Sequence, residues 1–163
     1  MTNTAIAFGG NLGDVESTYK EAIKLLKEGG FQVLTLSPLL ANKAVGCILG
    51  TPDFKNGTIT GKWDGKAQEL IALCQGIELK LGRPKDHKSN MSRTIDLDVI
   101  LFGNEIIKTD ALTVPHPRAQ SRAFVLLPLN QIAPDWVFPD TKLTVSEALE
   151  KLNKNTSKKP LLH

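Results

Sequence analysis

Thr94-Ile95-Asp96-Leu97-Asp98-Val99-Ile100-Leu101-Phe102 carries the strongest strand signal in the chain. Apart from two aspartates, its residues are β-branched, aliphatic or aromatic. Successive side chains on a strand point to opposite faces, so residues two apart share one. Asp96 and Asp98 therefore project together, while Ile95, Leu97 and Val99 point the other way. One face is expected to pack on an apolar layer and the other to carry charge. Gly103-Asn104 then turns the chain into Glu105-Ile106-Ile107, which reads as a short hairpin.

Upstream, Ala67, Leu70, Ile71, Cys74, Ile77 and Leu81 recur at helical spacing until Gly82. Phe54–Trp63 alternates and is rich in Thr, as a strand is. Phe31–Leu40 reads as another strand, with Phe31, Val33 and Thr35 on one face and Leu34 and Leu36 on the other; Pro38 bends or ends it. Ala41–Asp53 is irregular and is expected to be a long loop. Val15, Tyr19, Ala22, Ile23 and Leu26 mark a further helix, with Asp14 as N-cap and Gly29-Gly30 as stop. Thr4–Phe8 supplies the first strand. The order β-α-β-β-α-β predicts an α+β fold, a ferredoxin-like sandwich whose mainly antiparallel sheet is covered by helices on one face. A helical stretch near Ser121–Leu129, the turn Ala133-Pro134-Asp135 and a last helix over Val145–Leu152 form a small C-terminal extension. Residues 1–163 are read as a single domain, with 153–163 as a frayed polar tail.

The composition narrows the function classes. The length of 163 residues suffices for one compact core. No apolar run approaches the roughly 20 residues of a membrane helix. The N-terminus lacks a basic segment followed by a long apolar one, so a cytoplasmic address is expected. The net charge is +3, with no dense basic run interleaved with aromatics, which argues against nucleic acid. Cys47 and Cys74 have neither zinc nor redox spacing and are read as buried thiols rather than a bridge.

Two carboxylates roughly 7 Å apart on one strand face repel each other unless a cation lies between them. Hard oxygen donors suit Mg²⁺, which takes one or two carboxylates and completes its shell with phosphate oxygens and water. Arg83, Lys85, His87, Lys88 and Arg93 fall within eleven residues just before the pair, in a loop without apolar period. Cations beside a metal pair suit polyphosphate transfer, where charge on the moving group must be neutralised. Arg93, nearest the aspartates, is the natural clamp. The plainer alternative is an exposed acidic stripe beside a solvated loop. His116, held between Pro115 and Pro117, joins Arg118 and Arg122 as further candidates. Gly9-Gly10-Asn11-Leu12-Gly13 could cradle an anion at a helix N-terminus, although it lacks the Lys-Ser/Thr of a P-loop. It could equally mark a close approach of backbone to another element.

Three blocks together resemble the 6-hydroxymethyl-7,8-dihydropterin pyrophosphokinase family. They are Phe8-Gly9-Gly10-Asn11-Leu12-Gly13-Asp14, then Arg93 to Gly103, then Leu112-Thr113-Val114-Pro115-His116-Pro117-Arg118 continuing through Arg122-Ala123-Phe124-Val125-Leu126 to Ile132-Ala133-Pro134. The resemblance spans nearly the whole chain. It implies a ferredoxin-like fold and transfer of diphosphate from MgATP to the pterin hydroxymethyl group, leaving AMP, within folate synthesis. It further implies that Asp96 and Asp98 hold two Mg²⁺ ions, that Arg83 and Arg93 steady the transferring group, and that His116 and Arg122 hold the triphosphate. Gln75, Glu78, Val99 and Thr113 match positions near the nucleotide. Asn56 would pair with the pterin edge, Phe54 and Phe124 would sandwich the ring, and Val45 and Gly46 would offer backbone contacts. The partners implied are these two small molecules, with a link to another folate enzyme also open.

The chain departs from the family pattern at Asn42-Lys43-Ala44-Val45-Gly46, where a Pro-rich segment is usual, and at Asn90-Met91-Ser92-Arg93, which lacks the usual Trp and Gly-Pro. Lys85 stands where Arg is frequent, and Lys cannot form the bidentate fork. Two rivals stay open. One is an Asp-x-Asp phosphotransferase or phosphatase with an aspartyl nucleophile, although here the apolar run Val99–Phe102 follows the carboxylates instead of preceding them. The other is a non-catalytic nucleotide or pterin binder.

Overall fold

The computed structural model of the chain describes residues 1–11, 13–42, 54–82 and 95–158. Its elements run β1 (Thr2–Gly10), α1 (Val15–Glu28), β2 (Gln32–Leu36), β3 (Leu40–Asn42), β4 (Phe54–Trp63), α2 (Ala67–Gly82), β5 (Ile95–Phe102), β6 (Ile107–Lys108), β7 (Thr113–Val114), a 3₁₀ turn (Ala119–Ser121), α3 (Ala123–Ile132) and α4 (Val145–Lys158). Strands pair in the order β2-β4-β1-β5, with β3 also on β4, and every pairing in this sheet is antiparallel. This is the split βαβ arrangement expected from the element order.

The first helix starts and stops where its sequence dictates. Asp14 caps it, Oδ1 accepting the Ser17 N–H at 3.2 Å and Oδ2 the Ser17 hydroxyl at 2.8 Å. It ends at Gly29, and Gly30 leaves the helix at φ +103°, a conformation that side chains resist. Its apolar stripe, Val15, Tyr19, Ala22, Ile23 and Leu26, is buried against the sheet. Tyr19 packs on Phe8 with ring centroids 4.8 Å apart and planes tilted by 45°, and donates its hydroxyl to the Ser37 carbonyl at 3.0 Å. Burial pushes its phenol up to about 12.

Strand alternation sorts side chains between two cores. Ile6 and Phe8 of β1 join Ile95, Leu97 and Val99 of β5 beneath α1 and α2. On the opposite face Ala5, with Ala7 beside it, belongs to a second core with Val125, Leu126 and Leu129 of α3 and Val145 and Ala148 of α4. The sheet is therefore covered on both faces rather than one, because the C-terminal extension supplies the second layer. Within the sheet, α3 comes closest to β4.

One irregularity reorders β5. Ala7 pairs with Asp98 and Ile6 with Val99, but Ala5 pairs with Leu101, leaving Ile100 as an extra residue. The Ile100 carbonyl accepts the His116 N–H at 3.0 Å.

Four local expectations are corrected. The segment read as one strand from Phe31 to Leu40 is two, because Ser37, Pro38 and Leu39 interrupt the ladder; part of the expected loop, Ala41-Asn42, belongs to the second. The hairpin expected at Glu105-Ile106-Ile107 does not form with β5: Ile107 pairs with Val114 and Lys108 with Thr113. The helical stretch near Ser121–Leu129 is a 3₁₀ turn followed by α3, separated at Arg122, whose extended backbone (φ −120°, ψ 111°) breaks the helix. Helix α4 continues to Lys158, through residues expected to be frayed. A reciprocal capping pair starts it: the Thr144 N–H donates to Glu147 Oε1 at 2.9 Å, and the Glu147 N–H to Thr144 Oγ1 at 3.0 Å. No helix among the described residues is long and apolar enough to cross a membrane.

Candidate functional site

The pleat and the register together build a row across three strands. Directly opposed residues of antiparallel strands share a face. Gly9 pairs with Asp96 on one side and with Asn56 on the other, and Ala7 likewise lies between Asp98 and Thr58. Asp96, Gly9 and Asn56 therefore form one line, with Asp98 one step along. Asp96 is half-buried and Asp98 exposed. Phe54, two residues from Asn56, shares its face and is half-buried. Phe124 reaches the same face from α3, and the Arg122 guanidinium lies 5.5 Å from its ring centroid.

Asn56 is 9% exposed, and its Oδ1 is buried without a donor among the described residues. A buried amide oxygen left unpaired costs about 1–3 kcal/mol. Such a group is the expected mark of a ligand that completes it.

At the outer edge of β5 lies a cleft of about 240 Å³, walled by Gln75, Glu78, Asp98, Val99, Thr113 and His116 among others. Helix α2 is fastened here: Glu78 Oε2 accepts the Leu97 N–H at 2.8 Å, between the two aspartates. His116 Nδ1 accepts the Arg118 N–H at 3.2 Å, which leaves Nε2 to carry the proton of the neutral ring. Burial lowers the His116 pKa; the Asp98 charge pulls the other way, and Arg122 and Arg118 add to the lowering. Cys74 also faces the cleft, buried and free as expected, its thiol pushed up to about 12 by burial and by the charges of Glu78 and Asp98.

Among the described residues no group of three or more His, Cys, Asp or Glu is arranged to hold a metal. Mg²⁺ needs no such cage. Two same-face carboxylates beside a cleft fit its habit of taking one or two protein oxygens and leaving the rest to phosphate and water.

A family model described as 7,8-dihydro-6-hydroxymethylpterin-pyrophosphokinase (HPPK) matches residues 5–134. The chain belongs to this pyrophosphokinase family. It is 36% identical over 149 residues to a 2-amino-4-hydroxy-6-hydroxymethyldihydropteridine pyrophosphokinase of Synechocystis, across 91% of this chain and 75% of that one. It is also 36% identical over 148 residues to the folic acid synthesis protein fol1 of Schizosaccharomyces pombe, covering 90% of this chain and 20% of that much longer protein. A crystal structure of Plasmodium falciparum HPPK-DHPS superposes with a TM-score of 0.71 at 12% identity, over 97% of this chain and 44% of that one. At that identity the likeness bears on the fold alone.

In this pyrophosphokinase chain, the structure brings together Gln75, Glu78, Asp98, Val99, Thr113 and His116 in the cleft, and Asp96, Asn56, Phe54 and Phe124 on one sheet face. Arg122 joins the two groups through Phe124 and His116. Val45, Gly46, Arg83 and Arg93 lie outside the described residues, as do Lys85, His87, Lys88 and Cys47. The first-helix N-terminus is filled by the Asp14 carboxylate itself, which weighs against an anion there. Gly9 and Gly10, expected to begin a turn, continue β1 because both pair with β4 and β5, and for Gly9 the close approach of another element is the alternative that fits the geometry. Sequence reasoning missed the Glu78–Leu97 bond, since nothing local ties a helix side chain to a strand amide nineteen residues on.

Proposed function

We infer that the chain transfers diphosphate from ATP to the hydroxymethyl group of 6-hydroxymethyl-7,8-dihydropterin, a step of folate synthesis. The hydroxymethyl oxygen forms a bond to the β-phosphorus, the bond from that phosphorus to the α-bridging oxygen breaks, AMP leaves with that oxygen, and the hydroxyl proton passes to solvent. The observation that carries this reading is the row itself. It sets at one end a buried amide whose oxygen has no donor among the described residues and at the other a pair of carboxylates, with a cleft opening beside the carboxylates.

Each residue then has a physical task. The Asn56 amide pairs with the polar edge of the pterin, and Phe54 and Phe124 stack on its faces. Val45 and Gly46 add backbone contacts. Gln75, Glu78, Val99 and Thr113 surround the nucleotide. His116, neutral with its proton on Nε2, donates to a phosphate oxygen, and Arg122 adds charge. Asp96 and Asp98 would hold two Mg²⁺ ions. Bound magnesium would neutralise phosphate charge and acidify the attacking hydroxyl. Arg83 and Arg93 clamp the moving group, where opposite charge counts most in the transition state.

Two wider readings accompany this one. The relatives that carry further length support a link between this chain and another folate-synthesis enzyme, as a fusion or a complex. A cytoplasmic setting suits both co-substrates.

The test is direct. Incubation with MgATP and the dihydropterin alcohol should yield AMP only when both are present. ATP consumption that ignores the pterin, or a phosphate trapped on Asp96, would instead point to the phosphotransferase chemistry.

A further inference from the structure

Gly9 occupies the middle of the row, and its backbone gives no reason for a glycine. The positive-φ glycines of the described residues are Gly13, Gly30, Gly65 and Gly103; Gly9 is absent from that set and lies in an ordinary strand ladder. Glycine inside a strand weakens it, and often marks a close approach of another group. Space supplies the reason here. A Cβ built on Gly9 would lie 3.0 Å from Asn56 Nδ2, shorter than the ordinary contact range of 3.4–4 Å. Thus the Asn56 amide nitrogen lies over β1, on the side toward the strand that carries Asp96. The same amide has its oxygen buried and unpaired among the described residues.

We propose that Gly9 is a positioning residue for pterin recognition: the absent side chain lets the Asn56 amide lie flat across β1, with its edge presented to the ring. This deepens the proposed function, resting on Asn56 as the group that reads the pterin. Any side chain at position 9 would push that amide off its line by a few tenths of an ångström or rotate it. Hydrogen bonds to a ring edge weaken steeply as the amide plane rotates. The nucleotide cleft lies on the far side of β5 from Gly9 and would not feel the change.

The experiment compares wild type, Gly9→Ala, Asn56→Ala and the double variant. Affinity for 6-hydroxymethyl-7,8-dihydropterin is measured by calorimetry with magnesium and a non-hydrolysable ATP analogue present, and affinity for the analogue is measured alone. Gly9→Ala should weaken pterin binding by about tenfold or more, the scale of a misplaced buried hydrogen bond. Its affinity for the ATP analogue should hold within about twofold, as expected of sites that do not couple. In the Asn56→Ala background the added Gly9→Ala should change pterin affinity by less than about twofold, because its effect runs through the amide.

Unaltered pterin binding in Gly9→Ala overturns the proposal. So does an equal loss in both backgrounds, which would mean that the new methyl meets the ring itself. Should Gly9→Ala fail to fold while the double variant folds, the methyl acts through the Asn56 amide, as proposed; a double variant that also fails to fold would overturn it. If wild type binds no pterin, the functional reading fails instead. The positioning claim is then still decided by the side-chain NH₂ resonances of Asn56 in ¹⁵N-labelled, ligand-free protein. They should move in Gly9→Ala, and fixed resonances would overturn it.

Discussion

Glu78 Oε2 and the Leu97 N–H meet at 2.8 Å, so a carboxylate on α2 holds the backbone of β5 at the point flanked by Asp96 and Asp98. Leu97 itself is buried on the opposite face. The bond thus fixes the strand without touching either aspartate's side chain. Removing the carboxylate with Glu78→Ala should cost about 2 kcal/mol of stability, the range for hydrogen bonds to charged groups. It should also raise the magnesium concentration needed for half-maximal turnover. Glu78→Gln, which keeps an acceptor oxygen, should restore most of both. Thermal melts and a magnesium titration check this; a Gln variant as impaired as Ala would assign Glu78 to direct charge contact instead.

Asp98 is exposed at the lip of the cleft. Surface changes of this kind usually alter stability by less than about 0.5 kcal/mol. Asp98→Ala should therefore melt like wild type while turnover with MgATP falls by about a thousandfold, the scale of a lost transition-state charge contact. Substantial residual turnover would remove Asp98 from the metal site.

The pH dependence of stability should carry the signature of His116. Burial places its folded pKa below the usual 6.5. The unfolded chain then binds the proton more readily, so the stabilising contribution is present above 6.5 and is lost as pH falls through the folded value. Melting temperature should drop on acidification below 6.5 in wild type and drop less in His116→Gln. Parallel curves for the two proteins would contradict the assignment.

Gly76 lies exposed in the interior of α2, and a Cβ there would meet nothing within 4 Å. Gly76→Ala should stabilise the chain by about 0.5–1 kcal/mol through helix propensity and loss of unfolded-state freedom. Chemical denaturation measures it, and a destabilised variant would mean that α2 meets a neighbour on that face.

What could be read from residues alone follows the range of the forces involved. Phe54–Trp63 and the helix Ala67–Gly82 were legible because their patterns are local and complete. The strand pair around Pro38 was not, since a single apolar run cannot say that Leu40 realigns against Asn56 after a break. Nor was the second packed layer: Ala5 looks unremarkable until it is seen to share a core with residues of α3 and α4. The same division holds at the site. The shared face of Asp96 and Asp98 follows from a two-residue spacing. Their alignment with Gly9 and Asn56 depends on register between strands more than forty residues apart, which no local pattern encodes. His116 stood out by its prolines, whereas the bond that seats its backbone comes from Ile100.

That extra residue in β5 has an evolutionary consequence. Upstream of Ile100 the strand keeps its carboxylates out and Leu97 and Val99 in; downstream, Leu101 serves the second core and Phe102 the first. The two halves run out of phase by one. Removing Ile100 would let Leu101 follow Val99 in plain alternation, so every side chain would keep its face and only the carbonyl that accepts the His116 N–H would be lost. Descendants of this gene can therefore lose that one letter and keep the wet and dry sides of the strand, whereas a letter gained or lost between Ile95 and Val99 would separate the two carboxylates onto different sides.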